Sequence, residues 1–313
     1  MLENDHNRPV YLYPCRDYSS QQLDPAIDLL IKGILGNYNY RGCTVLLKPN
    51  LISSRGPALA CTSREFIAGV ARWFLEHGCH VKLGDSPAFG SVRSVLERHG
   101  IHETLKPLDV EIVSFKTVIT RDLVSGASVE IAAEAMECDF LVNLPRLKAH
   151  NQVYLTCAVK NYFGTVVGMR KAMMHMRHGS DHSEFSDILV RIPDLFPSSI
   201  TIMDAVEVMH RSGPLDGDPL RLQVVGASQC PIALDTAVLR MLGLASDDSP
   251  LWRAARDMNH PGCFLDNIVY PARNPDEVGE GRFIPPDTLN PIRFNPLRLL
   301  SGLMRRLSLA FHS

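Results

Sequence analysis

Between Arg146 and Lys171 the sequence gathers Arg146, Lys148, His150, Lys160 and Lys171 just after a short apolar run, "CDFLV" (138–142). Lys148 and His150 are two residues apart, so in extended chain both side chains point to one face. Two cations held together in a partly desolvated cleft repel each other, and burial adds to the effect, so both pKa values fall. Groups that lose protons near neutrality suit proton transfer or the capture of an anion. In a solvated loop the same residues would be flexible surface charge. Lys148, His150 and Lys160 are therefore the candidate catalytic residues.

A second set of residues has the chemistry of a cradle. In "AVKNYFGTVVGMRK" (158–171), Gly164 and Gly168 allow positive φ or close approach of backbone to a ligand. Asn161 and Lys171 flank them, and "KPN" (48–50) adds Lys48 and Asn50 from a distant segment. Glycines among lysines suit a carboxylate, a phosphate or a charged cofactor. The spacing is not G-x-x-x-x-G-K-[ST], and no G-x-G-x-x-G follows a strand, so neither nucleotide fold is indicated. No G-x-S-x-G elbow occurs, which disfavours a serine hydrolase.

A third set has metal-ligand types. His175, His178 and His182 in "HMRHGSDH" (175–182) are spaced by three and four, which on a continuous helix aligns them. Three imidazoles in that arrangement bind a transition metal. Gly179 weakens such a helix, and a polar lid is the other reading. Asp85 and Asp204 stand where strands are expected to end and would ligate a metal or orient a lysine. Asp235 is expected in the first turn of a helix, where a carboxylate complements the dipole.

The elements that must position these groups follow from periodicity. Strands are expected at 10–15, 44–50, 80–87, 110–115, 128–132, 138–144, 200–206 and 222–228. Helices are expected at 25–35, 62–78, 91–100, 184–196 and 231–243. Thr62 or Ser63 can cap the second of these helices, and Gly78 can end it. The alternation predicts an α/β fold: a mainly parallel sheet with helices on both faces. The region 1–283 is either one body or two lobes, about 1–140 and 141–283, around a cleft. Right-handed crossovers put the strand C-termini on one edge, where open parallel sheets bind ligands. "KPN", "GDSP" (84–87), "NLPRLKAH" (143–150) and "MDA" (203–205) fall there.

Composition narrows the classes. The chain has 313 residues, net charge −2, 45% hydrophobic and 21% charged residues, and no basic field that would call for nucleic acid. The polar start, "MLENDHNRPV", is unlike a secretory signal, and no apolar run spans a bilayer. The eight cysteines are dispersed with no C-x-x-C, so no iron–sulfur cluster is expected on this chain and a reduced, cytoplasmic setting is. "IPPDTLNPIRFNP" (284–296) reads as an extended strap. In 297–313, Leu297, Leu300, Leu303, Met304, Leu307 and Phe311 fall on one helical face, opposite Arg298, Ser301, Arg305, Ser308 and His312. Such a helix lies weakly on an anionic membrane, docks on a partner or second copy, or packs on its own domain.

"KPN", "GDSP", "NLPRLKAH", "AVKNYFGTVVG", "MDAV", "GP…GDP" and "ALDTAVLRMLG" occur in that order from Lys48 to Gly243. The series resembles a family of bacterial and archaeal proteins known as domain of unknown function family 362, most specifically over Asn143–Gly168. The resemblance implies an iron–sulfur association, because many relatives carry a ferredoxin module. This chain lacks the cluster cysteines, so a cluster would sit on another protein. "YFGTVVGMRK" (162–171) is also similar to the Gly-Gly-Arg-Lys stretch of nickel-pincer lactate racemases, with Met169 in place of a glycine. That likeness implies Lys171 as a cofactor anchor and His175, His178 or His182 as a metal ligand. The expectation is a metal- or cofactor-dependent enzyme for a small anionic substrate, of oxidoreductase or isomerase/racemase type. The alternative is an accessory protein that binds or delivers a metal or organic cofactor.

Overall fold

The structure is a computed structural model describing residues 7–36, 38–178, 182–279 and 281–290, with the backbone alone at 169, 178 and 182. The chain opens with β1 (Arg8–Pro9), β2 (Tyr11–Pro14) and α1 (Ser20–Leu35). Strand–helix units follow: β3 (Thr44–Pro49) with α2 (Arg64–Glu76), then β4 (His80–Asp85) with α3 (Val92–Arg98) and α4 (Ile101–Leu105). Next come β5 (Val110–Ser114) and a hairpin of β6 (Val118–Asp122) and β7 (Ser128–Ala132). The middle of the chain holds β8 (Phe140–Leu144), β9 (Arg146–His150), β10 (Tyr154–Thr156), α5 (Ala158–Tyr162), α6 (Met169–His178) and α7 (His182–Arg191). After it come β11 (Ser199–His210), β12 (Asp218–Ser228), α8 (Pro231–Met241), α9 (Pro250–Asp257) and β13 (Ile268–Val269).

The main sheet is largely parallel. β5, β4, β3, β8 and β11 are neighbours in that order, each parallel to the next. β12 and then β2 extend it beyond β11 as antiparallel strands. Strands buried on both faces read as near-continuous apolar runs, and β3 does so: Val45 and Leu47 pack into one core, Leu46 into the other. The first core lies under α1, α2, α3 and α4; the second lies under α5, α7 and α9. Helices thus cover both faces, as the alternation predicts.

A break at Pro145 makes the site possible. β11 pairs with β8 through Ser199–Thr201 and with β9 through Asp204 and Met209. β8 and β9 are therefore successive parts of one path beside one long strand. Up to Leu144 the path also pairs with β3. Beyond Pro145 it leaves β3, and β10 folds back on β9 instead. Proline has no N–H to give a ladder, whereas the Pro145 carbonyl still accepts from Asp204 N–H at 2.9 Å.

One expectation is corrected here. Asp204 does not end a strand: β11 runs on to His210 because it pairs with β12 as far as Asp218. His175 lies on α6, and the stretch between α6 and α7, residues 179–181, lies outside the described residues. Part of the proline-rich strap is described. Ile284 O accepts from Arg211 N–H at 2.7 Å, and Asn290 N–H donates to Asn151 O at 2.6 Å. Residues 291–296 and the expected helix 297–313 lie outside the described residues. Among those described, no helix is long and apolar enough to cross a membrane.

Candidate functional site

The site begins with a lysine inside an apolar strand. Lys48 sits on β3 with no exposed surface, and its Nζ lies 2.8 Å from Asp85 Oδ1 at the end of β4. Nζ also donates to Pro49 O at 2.9 Å, and Asp85 Oδ2 accepts from Leu51 N–H at 2.8 Å. Burial pulls the Lys48 pKa down, and the Asp85 charge partly restores it. Gly164 closes over this pair. A Cβ at Gly164 would collide with both Asp85 Oδ1 and Lys48 Nζ, so the absence of a side chain is what permits the approach.

Where β3 and β9 part, three asparagines span the gap. Asn143, beside Lys48 in the ladder, donates to Ala158 O at 3.0 Å and Thr201 Oγ1 at 3.1 Å. Its carbonyl oxygen accepts from Asn161 Nδ2 at 2.8 Å. Asn161 Oδ1 in turn accepts from Asn50 Nδ2 at 2.8 Å, and Asn50 Oδ1 accepts from Lys148 Nζ. Each amide gives in one direction and takes from the other, and the row ends on the Lys148 amine. The arrangement depends on α5, which carries Asn161. Asp235 of α8 receives the Ala158 and Val159 N–H groups at 2.8 and 3.2 Å and so caps α5. Burial lifts the Asp235 pKa to about 6 against those hydrogen bonds.

Arg146 and Lys148, two residues apart on β9, do different work. Lys148 is fully buried, donates to Asn50 Oδ1 and Ala60 O, and has its pKa pulled down to about 7 by burial. Arg146 is a clamp. It donates to Glu207 O at 2.8 Å, Cys61 O at 3.1 Å and Tyr18 Oη at 3.1 Å, and lies 3.9 Å from Asp204. Asp204 accepts from Tyr18 Oη at 2.7 Å and Ser63 N–H at 3.0 Å.

The remaining groups line the open side. Lys171 of α6 donates to Ser86 O, and burial holds its pKa near 8. Gly168, at φ 57°, donates its N–H to Ser86 Oγ at 3.0 Å. Lys160 of α5 lies over Phe163, with Nζ 4.4 Å from the ring centre. Burial, then the charges of Lys171 and Lys48, bring its pKa to about 7. His150 Nδ1 accepts from Gln152 N–H at 3.1 Å, so the neutral ring carries its proton on Nε2. Burial and the nearby Lys160, Lys148 and His175 hold His150 well below its ordinary pKa. His175 packs against Phe163 and Phe185 and is held near 3 by burial, Lys160 and Lys171. Opposite His150 in the hairpin, Tyr154 adopts the left-handed region at φ 71°, a strained choice for a tyrosine.

Four lysines and two neutral histidines thus meet at the C-terminal ends of β3, β4 and β8. Among the described residues, Asp85 is the carboxylate that ion-pairs with one of these lysines, and it serves Lys48. The cluster holds more lysines than paired carboxylates and has neutral bases beside it. Over residues 45–240 the sequence matches the family described as Domain of unknown function (DUF362). The chain belongs to the DUF362 family. It is 33% identical over 308 residues to a thylakoid-associated protein of Synechocystis sp., covering 97% of this chain and 96% of that protein. Among solved structures it is similar to the lactate racemase apoprotein of Thermoanaerobacterium thermosaccharolyticum, at 11% identity and TM-score 0.44, over 67% of this chain and 53% of that one. A protein from Thermotoga maritima matches at 9% identity and TM-score 0.42, over 69% of this chain and 57% of that one. The DUF362 chain spans about half the length of these two solved structures.

In this DUF362 chain, Lys48, Asn50, Asn161, Gly164, Gly168, Lys171, Lys148, His150, Lys160 and Asp85 come together, with His175 at the margin. Asp204 is set apart in the Arg146–Tyr18 network. Asp235 is not in the first turn of its own helix but caps α5. The side chains of His178 and His182 lie outside the described residues. Among the described residues no group of three His, Cys, Asp or Glu is placed to hold a metal. Asp85 is committed to Lys48 and a backbone N–H. Sequence reasoning missed Asn143 and Ser86 as contributors, although both stand inside the quoted "NLPRLKAH" and "GDSP". Tyr18 carried no signal, since its partners are remote in the chain.

Proposed function

We propose that this protein is an enzyme that binds a small carboxylate- or phosphate-bearing substrate at the C-terminal sheet edge and moves a proton on it. Lys160 and Lys171 would hold the anionic group, and His150, with Lys148 behind it, would be the proton-transfer site. The observation that carries this reading is the unbalanced lysine cluster itself: Lys148 and Lys160 brought to about 7 and Lys171 to about 8, beside two histidines kept neutral. Among these, Lys148 and Lys160 are the groups poised near neutrality that proton transfer requires, and a bound anion would favour the protonated forms of the lysines and of His150 alike. Proton transfer next to a carboxylate fits isomerase/racemase-like chemistry better than redox chemistry, and no step here is routed through a metal.

Inorganic phosphate and oxalate are the direct probes. Either anion should raise the melting temperature in a saturable way, and Lys160→Ala with Lys171→Ala should remove the effect. Incubation in deuterated water with a panel of 2-hydroxy and 2-oxo acids then separates the readings. An enzyme exchanges the proton beside the carboxylate over many turnovers, whereas an accessory protein binds one equivalent and exchanges nothing. A chain indifferent to both anions would defeat the proposal.

A second reading concerns location. The likeness to a thylakoid-associated protein across nearly the whole chain supports peripheral membrane contact, with the alternating apolar and basic positions of 297–313 as the attachment.

A further inference from the structure

The four lysines of the pocket differ in what their amines already hold. Lys48 is paired with Asp85 and donates to Pro49 O. Lys148 donates to Asn50 Oδ1 and Ala60 O. Lys171 donates to Ser86 O. Lys160 has no hydrogen bond or ion pair with any described residue; its Nζ rests over the Phe163 ring and its side chain is partly open to solvent. An amine attacks a carbonyl through its lone pair, which is blocked when the nitrogen is protonated or held by acceptors. Lysines become nucleophiles when placed in apolar surroundings or next to other cations, and both conditions hold here.

We propose that Lys160 is a nucleophilic amine that forms an imine with a carbonyl compound bearing a carboxylate, a small 2-oxo acid, whose carboxylate lies against Lys171. The inference rests on the anion-binding reading and narrows it to substrates with a carbonyl beside the anionic group. The charged and titratable neighbours of Lys160 are Lys48 on β3, Lys148 and His150 on β9, and Lys171 and His175 on α6. Burial, then the charges of Lys171 and Lys48, disfavour a positive charge on Lys160 and bring its pKa down to about 7. Its lone pair forms the C–N bond while the carbonyl π pair moves to oxygen, which takes up a proton as nitrogen gives one away. The oxygen takes a second proton and leaves as water while the nitrogen lone pair forms C=N, and the resulting iminium gives up its remaining N–H proton, replacing the one spent on the oxygen. Amine plus carbonyl yields imine plus water, and nothing is oxidised or reduced. His150 Nε2–H and His175 are the neutral groups near Lys160 that can relay these protons.

Glyoxylate with sodium borohydride tests the step on the full chain. Borohydride delivers hydride to the imine carbon, and nitrogen takes a proton, leaving one carboxymethyl group on a secondary amine. Peptide mapping should find that group on Lys160, formed about tenfold faster than on the exposed Lys32 or Lys106, whose amines are held in ion pairs with Asp28 and Glu103. Inorganic phosphate should slow it, and Lys160→Ala should abolish the fast adduct. Should that variant fail to fold, mapping on the unaltered protein still decides. Adducts spread over surface lysines, with Lys160 unmodified, overturn the imine. If phosphate nonetheless stabilises the same preparation, the anion-binding reading survives; if it does not, both fall together.

Discussion

Lys148 and Lys160 are chemically the same residue in very different positions, and substitution should separate them. Lys148 has no exposed surface and satisfies Asn50 Oδ1 and Ala60 O. Lys148→Ala strands both acceptors and leaves a cavity, so it should cost about 2–4 kcal/mol in urea denaturation. Lys160 makes no such bonds to described residues, and Lys160→Ala should stay within about 0.5 kcal/mol while losing the phosphate response. Protons give a further prediction at this scale. The folded pKa values of Lys148, Lys160 and Lys171 are about 7, 7 and 8, against 10.5 for an ordinary lysine. Below about pH 7 both folded and unfolded chains carry these protons, and the penalty of burying charge is fully present. Between about 7 and 10.5 the unfolded chain binds more protons, so the stability of the ligand-free protein should rise with pH. Stabilisation by phosphate should fall over the same range, because the cations that bind it disappear. Urea midpoints with and without phosphate, taken across that window, check both signs; parallel trends would contradict the assignment.

At the scale of elements, two glycines and one cap decide whether the pocket closes. Gly164→Ala drives a Cβ into the buried Lys48–Asp85 pair and should cost on the order of 3 kcal/mol, with loss of anion binding. Gly168→Ala meets nothing within 4 Å and suffers only from its positive φ, so about 1 kcal/mol is expected. Thermal unfolding of the two variants side by side distinguishes collision from backbone strain. Asp235 acts at one remove. It holds the first N–H groups of α5, the helix that presents Lys160 and Asn161. Asp235→Ala should cost about 1–2 kcal/mol and weaken phosphate binding, and Asp235→Asn, which keeps an acceptor, should recover part of both. A loss of stability with undiminished phosphate affinity would mean that α5 does not need the cap to position Lys160.

At the scale of the molecule, the sheet is one continuous surface from β5 to β2, and β3 of the first half lies against β8 of the second. The pocket draws on both halves at that junction, Lys48 and Asp85 from one and Lys148 and Lys160 from the other. The segment 297–313 is a separate question. Deleting it should leave the phosphate-dependent melting shift unchanged. It should also abolish co-sedimentation with vesicles containing an anionic lipid at low salt, a contact weakened by added salt because few arginines carry it. Full-length protein that never sediments, together with a truncated form that aggregates, would assign the segment to internal or subunit packing.

The sequence alone determined the α/β class, most strands and helices, and the sheet edge on which "KPN", "GDSP" and "NLPRLKAH" converge. Those features depend on local periodicity and on the handedness of crossovers, both of which a single chain displays. It also named all four lysines of the cluster, since a lysine after a buried strand or beside a glycine turn is conspicuous. What it did not show is which lysine is paired. Lys48 meets Asp85 from another strand, Lys148 meets Asn50 and Ala60, and Lys160 meets no acceptor among the described residues. Nor did it show that β11 continues past Asp204, because that length is set by pairing with β12 rather than by its own residues. Burial and partner choice are properties of the packed chain: they depend on groups far apart in sequence, 113 positions in the Asn161–Lys48 hydrogen bond and 186 in the Tyr18–Asp204 one, and a pKa follows them rather than the residue type.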